Sequence, residues 1–206
     1  MFINGVALFD YRDGVAWDDS MNRLCGGPGN PQCSSNFNQM DWTRDAILAE
    51  MGGFDCSKGH PAQGNYHHHQ NPSAFKLDQD VVSDICNIYD AEGLYAIDPN
   101  THAPLIGFAY DGFPIYGPYG YEDRGNVLTN IVRIESGYSL KTVDRDTIAT
   151  GPGGLPTGEF IEDYEYSSNS HGLDQYNGRY GPTPEFPNGT YYYVATINAD
   201  QTPAYP

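Results

Sequence analysis

The chain has 206 residues, and its 24 glycines, 15 prolines and 17 tyrosines favour short strands, tight turns and loops over long helices. Its formal net charge of −17 at pH 7 repels the phosphates of nucleic acids and anionic lipids, so we expect no nucleic-acid partner and regard cations as the natural small partners. No apolar run reaches the roughly 18 residues of a transmembrane helix, which argues against membrane insertion.

The first predicted element is a strand or hairpin over residues 2–9, and residues 21–37 form a loop rich in glycine, proline, asparagine and serine. The clearest helix covers residues 42–51, because Asp41 can cap the apolar run that follows and two glycines close it. Residues 81–89 fit either a short helix or a strand, since their periodicity does not decide between the two.

The four cysteines allow three pairings, of which Cys25–Cys33 and Cys56–Cys86 are the simplest. Two such disulfides predict an oxidising, extracellular setting. The competing interpretation makes Cys56 a thiolate ligand of zinc, because its spacing from His60 is typical of zinc sites.

Four of the six histidines fall between positions 60 and 69. If this stretch is a strand, side chains alternate between its faces, so His67 and His69 point one way while Tyr66 and His68 point the other. His60 precedes a short turn and can fold back onto the face of His67. Three imidazoles without a thiolate suit zinc or copper, so these three residues are the first predicted metal ligands. The alternative is a histidine-rich surface loop without a ligand.

The tract over residues 104–121 predicts a hairpin in an aromatic environment, with the turn at Asp111 and Gly112. His102, just before it, is the fourth predicted metal ligand. Metal-bound histidines usually donate their second N–H to a carboxylate or carbonyl, and Asp111 can accept this hydrogen bond. Asp111 is equally well explained as an ordinary turn residue.

Several tyrosines combine a flat apolar face with a hydroxyl and can wall a pocket for a sugar or substrate, namely Tyr66, Tyr110, Tyr116, Tyr119 and Tyr121. The alternative places them in the core with satisfied hydroxyls.

Further strands are predicted at residues 127–134, 139–143 and 191–196. The whole pattern predicts a mainly β protein, a single compact irregular domain over residues 1–206 that is rich in hairpins and loops and carries one short helix. The sequence shows no signal peptide, and one interpretation is that the chain is a segment trimmed from a longer polypeptide.

The motifs also carry a resemblance to a known family. The N-terminal motifs are the run Tyr66-His67-His68-His69, the segment Gly59-His60-Pro61 before it and the tract from His102 to Pro118. The C-terminal motifs are Asp163-Tyr164, Leu173-Asp174, Asn177-Gly178-Arg179 and residues 183–191. Together they resemble the YHYH domain, named for a Tyr-His-Tyr-His motif, over about residues 40–206. His68 stands where the motif has its second tyrosine, on the face opposite to His67 and His69.

The resemblance implies a fold and a setting, since family members occur among secreted bacterial proteins and structural proteins of marine phages. It implies little about activity. We therefore expect an extracellular or virion-associated domain, acidic and rich in tyrosine, with a metal ion as partner and, beyond that, a cell-surface glycan or other structural subunits.

Three functions follow from these residues. The first is a metal-binding structural or adhesive domain built around the histidines. The second is a metal-dependent hydrolase, in which a histidine-bound metal ion activates water and Asp111 or another carboxylate acts as base. The third is a glycan-binding module with purely structural histidines. Whether the protein is an enzyme stays open at this stage, because no motif of a named reaction class is present.

Overall fold

The computed structural model of the chain describes residues 1–55, 58–70, 98–168, 171–200 and 204–205. These residues form a mainly β structure with one α-helix, α1 (Ala46–Glu50), and four single turns of 3-10 helix, which confirms the predicted fold class. The strands in chain order are β1 (Ala7–Leu8), β2 (Arg12–Asp18), β3 (Arg23–Cys25), β4 (Thr43–Asp45), β5 (Gly59–Ala62), β6 (Asn65–His68), β7 (Leu105–Phe108), β8 (Pro114–Tyr116), β9 (Tyr119–Tyr121), β10 (Ile131–Arg133), β11 (Tyr138–Leu140), β12 (Tyr164–Tyr166), β13 (Gly178–Gly181) and β14 (Thr190–Val194).

The chain divides into two compact units. The first unit comprises Met1–Phe9, Phe54–Gly137 and Ser167–Pro206, and the second comprises Asp10–Gly53 and Tyr138–Tyr166. The single domain expected over residues 1–206 stays a prediction.

In the first unit, β5 and β6 form a hairpin, and β1 lies parallel to β6 on its other side. The two residues of the turn, Gln63 and Gly64, both have positive φ, of 51° and 86°. Two-residue turns of this kind match the right-handed twist of the strands that they join. The hairpin that carries the histidines is therefore built by its own local sequence.

The first unit also contains a four-stranded sheet in the order β13-β14-β8-β7, in which β14 and β8 are parallel and the other pairs antiparallel. Ile115 and Tyr116 are successive residues of β8, so their side chains point to opposite faces. Each face carries one apolar cluster of buried residues. The clusters are Phe2, Ile106, Ile115 and Ile197 on one side, and Tyr116, Ile134, Leu173, Tyr192 and Val194 on the other.

The second unit is built on the three-stranded sheet β3-β2-β4 and the antiparallel pair β11-β12. A disulfide joins Cys25 at the end of β3 to Cys33, as predicted. Cys56, Cys86 and residues 81–89 lie outside the described residues, so the second disulfide stays a prediction.

The helix predicted over residues 42–51 is present with shorter bounds, Ala46–Glu50. Its cap is Asp45, whose carboxylate accepts a hydrogen bond from the Ile47 N–H at 2.7 Å, and the predicted cap Asp41 was wrong. Residues Thr43–Asp45 form β4 instead, because they pair with β2. Holding this cap as a charged carboxylate costs folding free energy. Burial raises the pKa of Asp45 to about 6, despite the hydrogen bonds from Ile47 and Leu48 that lower it.

We expect Asp45→Asn to stabilise the protein more at pH 7 than at pH 4. A folded-state pKa raised from 3.8 to about 6 makes the wild type lose stability as the pH rises through that interval. Asparagine keeps the cap and does not titrate, so the difference in the free energy of unfolding should grow by about 1–3 kcal/mol between the two pH values. Urea titrations measure it. Asp45→Ala, which removes the cap itself, should destabilise at pH 7 relative to Asp45→Asn. An Asn variant with the same advantage at both pH values would contradict the assignment.

Candidate metal centre

The hairpin places three histidines together. In its register His60 lies opposite His67, and His69 continues on the face of His67 two residues later. The Nε2 atoms of His67 and His69 are 3.0 Å apart, and the ring centroids of His60 lie 4.4 Å from His67 and 5.5 Å from His69. One nitrogen from each of the three rings falls within 4.8 Å of the others. We call these three residues the histidine cluster.

The spacing suits a tetrahedral transition-metal ion. With metal–nitrogen distances of about 2.0–2.1 Å, two ligand nitrogens of such a site are about 3.3 Å apart. The separation between His67 and His69 is already close to this value, and a donor nitrogen of His60 lies within 4.8 Å of theirs. The donor set contains imidazole nitrogens, which zinc and copper both accept.

The hydrogen bond of His67 also fits a metal ligand. Its Nδ1 lies 3.0 Å from the carbonyl oxygen of Asn65, so the N–H on Nδ1 donates to that carbonyl and Nε2 is the nitrogen left to face a metal ion. Nε2 is the nitrogen that faces His69. Metal-binding histidines are typically held by such a hydrogen bond from the nitrogen that does not bind the metal.

Aromatic rings shield the histidine cluster from water. Phe9 stacks on His67 at 4.1 Å between centroids and 22° between planes, and its edge approaches His69 at 6.2 Å. Phe54 contacts the ring of His60 at 5.1 Å. Burial, with a smaller effect from His67, lowers the pKa of His60, so this imidazole is neutral at pH 7. Neutral imidazoles in a partly dry environment can bind a metal ion without first losing a proton.

His68 points away from the histidine cluster. Its Nδ1 lies 3.1 Å from the carbonyl oxygen of Lys58, and its ring contacts Phe2 at 5.5 Å and Tyr66 at 5.4 Å. Tyr66, on the same face, donates a hydrogen bond from its hydroxyl to Asp55 at 2.7 Å. The alternation along β6 therefore separates the strand into a face with His67 and a face with Tyr66 and His68.

The structure does not bring His102 to the histidine cluster. Its ring packs against Tyr116, Tyr121 and Tyr192 at 5.3, 4.9 and 6.4 Å, and its Nδ1 lies 2.8 Å from the Ala103 carbonyl oxygen. Its Nε2 is buried and has no hydrogen-bond partner among the described residues. Burial lowers the pKa of His102 and keeps it neutral. His102 lies in the core because it directly precedes the aromatic tract and its ring contacts Tyr116 of β8.

Asp111 is likewise engaged elsewhere. Its carboxylate accepts hydrogen bonds from the Tyr193 hydroxyl at 2.5 Å and from the Phe113 N–H at 3.1 Å. These contacts assign it to the turn between β7 and β8, which was the alternative interpretation. The expected hydrogen bond from a histidine of the cluster is not among them.

The tyrosines predicted to wall a pocket separate into different environments. Tyr116 is fully buried, whereas Tyr110 is fully exposed. The Tyr116 hydroxyl donates to Glu185 at 2.7 Å and lies 2.8 Å from the Thr183 hydroxyl. Tyr119 and Tyr121 belong to β9, where Tyr121 contacts His102. These tyrosines do not form one wall, and Tyr116 is a core residue.

Phe9 and Phe54 are the residues at the site that the sequence did not indicate. Phe9 reaches His67 because β1 pairs with β6 in parallel, with Ala7 opposite His67. Pairing between segments 60 residues apart leaves no local signal in a sequence. The only sequence feature that pointed to Phe9 was its position at the end of the strand predicted over residues 2–9.

Comparison with known families gives one match: a family model described as YHYH protein matches residues 1–205. Neither the search of curated proteins nor that of solved structures found a match. None of the helices in the described part of the chain has the length and apolar character needed to span a membrane.

Tyr116→Phe should lower the free energy of unfolding by about 1–2 kcal/mol, because it removes a buried hydroxyl that bonds Thr183 and Glu185. Tyr116→Ala also leaves a large cavity and should cost about 3–5 kcal/mol. Urea unfolding measures both. Tyr110→Ala is the control, since this fully exposed side chain should change stability by less than about 0.5 kcal/mol. Equal effects at the two positions would contradict the core assignment of Tyr116.

Proposed function

The chain belongs to the YHYH protein family, and on this basis we propose that it is a metal-binding domain whose histidine cluster, His60, His67 and His69, holds one zinc or copper ion. The observation that carries the proposal is the convergence of the three rings, with two Nε2 atoms 3.0 Å apart and His67 oriented by the Asn65 carbonyl. An ion held there ties the two strands of the hairpin to the segment that follows it. Its role is structural in an extracellular or virion-associated protein, a setting supported by the disulfide between Cys25 and Cys33.

The hydrolase alternative receives less support. A three-histidine site leaves a coordination position for water, which a metal ion makes more acidic. The general base expected for that mechanism was Asp111 or another carboxylate, and the carboxylate of Asp111 is bonded to Tyr193 and Phe113. The proposal is therefore metal binding, without a catalytic step.

Replacing His67 and His69 together by alanine should reduce the affinity for Zn²⁺ and Cu²⁺ by at least about 100-fold, because two of three ligands disappear. Untagged protein is purified without added metal, its metal content is measured by elemental analysis, and the metal-free form is titrated calorimetrically. The wild type should bind one ion per chain.

His68→Ala is the matched control, since it removes an imidazole from the same strand on the opposite face. It should retain one ion per chain. Because His68 is buried, His68→Phe is made in parallel to keep the packing, and circular dichroism checks that both fold. The proposal fails if the double variant keeps its ion, or if a folded His68 variant loses it.

The affinity for metal should also fall in acid. Protons compete with the metal ion for imidazole nitrogens, and the pKa of His60 lies below its ordinary value of 6.5 because of burial. Protonation of this ligand therefore begins below that pH, so the dissociation constant should change little between pH 8 and pH 7 and rise steeply toward pH 5. Titrations at fixed ionic strength across this range measure it. A dissociation constant that is constant down to pH 5 would exclude histidine ligands.

A further inference from the structure

A second surface, independent of the histidine cluster, lies on the four-stranded sheet of the first unit. In the register of β13 and β14, Tyr180 lies opposite Tyr191, and Gly178 opposite Tyr193. These positions alternate with Arg179 and Tyr192, which are buried on the other face of the sheet. Phe113, at the start of β8, packs against Tyr191. We call Phe113, Tyr180, Tyr191 and Tyr193, with Tyr176 from the preceding turn, the aromatic face.

Three rings of the aromatic face, those of Phe113, Tyr191 and Tyr193, are held in place. The Tyr191 hydroxyl donates to Asp174 at 2.7 Å, and the Tyr193 hydroxyl donates to Asp111 at 2.5 Å. Tyr191 contacts Tyr193 edge to face at 5.3 Å and Phe113 at 5.1 Å. The Tyr191 phenol lies directly over Gly178, where the Cβ of any other residue would collide with it. Rings fixed in this way lose little conformational entropy when a ligand binds on them.

Three members of the aromatic face are exposed to solvent, and Tyr191 and Tyr193 are half-buried. Tyr176 is 68% exposed, Tyr180 62% and Phe113 39%, whereas Tyr192 on the opposite side of the same strand is buried. The apolar cluster on that opposite side does not include these rings, whereas Tyr193 packs partly against the cluster of Phe2, Ile106, Ile115 and Ile197 on its own side. An exposed group of large aromatic side chains is uncommon on a soluble protein and marks a binding surface.

The charge of the aromatic face selects the ligand. The segments that build it, residues 109–117, 174–181 and 188–196, contain one basic residue, Arg179, whose guanidinium is buried on the other face and bonded to Tyr192 and backbone carbonyls. Two carboxylates, exposed Asp111 and half-buried Asp174, accept hydrogen bonds from the hydroxyls of Tyr193 and Tyr191. The hydrogen bond from Tyr193 lowers the pKa of Asp111, so it carries its charge at neutral pH. A face with this balance repels sulfated and uronic sugars and attracts a cation.

We propose that the aromatic face binds an amino sugar with free ammonium groups, whose rings stack on Tyr180 and Tyr191 and whose ammonium groups lie beside Asp111 and Asp174. A pyranose ring presents an apolar C–H face that matches a flat phenol. An ammonium group on that ring gains attraction from both the carboxylates and the aromatic faces. The ligand is therefore a glucosamine oligosaccharide rather than an acidic or neutral one.

Calorimetric titration with β-1,4-linked glucosamine hexasaccharide tests the proposal. EDTA is present throughout, so that coordination of amines to a metal ion at the histidine cluster cannot contribute. We expect saturable binding that weakens with added salt, about tenfold weaker binding by Tyr180→Ala, and retention by Tyr180→Phe, which keeps the ring. Tyr166→Ala, which changes a 37% exposed tyrosine of the second unit, is the matched control and should bind as the wild type does.

Two further probes separate the sources of affinity. The N-acetylated hexasaccharide keeps the rings without the charge, and hexalysine keeps charge without sugar rings, so each should bind at least about tenfold more weakly than the glucosamine hexasaccharide. Hexalysine that binds equally well would show a peptide or a purely ionic surface and overturn the proposal. It is also overturned if the glucosamine hexasaccharide does not bind, or if Tyr180→Ala binds it unchanged. Circular dichroism checks that the protein stays folded in EDTA, so that none of these outcomes depends on whether the histidines hold a metal ion.

Discussion

The arrangement of the histidine cluster depends on the register of one β-hairpin. Because Gln63 and Gly64 close a two-residue turn, His60 faces His67 across the strands. A slip of one residue would send His67 and His69 to the face now held by His68 and would separate them from His60. The parallel strand β1 adds Phe9 over the same face. A metal ion in this position would in turn favour the register that creates it.

The four-stranded sheet shows how one strand can serve two chemical tasks. Along β14, Tyr192 and Val194 enter an apolar cluster, while Tyr191 and Tyr193 face the other side of the sheet. The hydroxyl of buried Tyr192 accepts a hydrogen bond from Arg179, and the hydroxyls of Tyr191 and Tyr193 donate to carboxylates. The same residue type therefore satisfies a buried cation on one face and fixes aromatic rings on the other.

Local patterns in the sequence predicted what local interactions determine. The alternation in Tyr66–His69 and the Asp111-Gly112 turn follow from neighbouring residues, and both are present. The start of α1 was wrong because Thr43 pairs with Ala16, a partner no local pattern reveals. The sequence predicted His102 and Asp111 near the histidines, because local patterns likewise do not reveal their neighbours in the tertiary fold. Their actual neighbours, such as Tyr193 at a separation of 82 residues, depend on the tertiary fold.

The pairing of β1 with β6 has a consequence for synthesis. Ala7 leaves the ribosome 60 residues before its partner His67, and Phe2 leaves 105 residues before Gly107, with which it forms a bridge. At about 5–20 residues per second, the first segment waits on the order of 3–20 seconds for these partners. Contacts this distant in sequence also form slowly. The first unit therefore cannot form these contacts until about half of the chain has emerged.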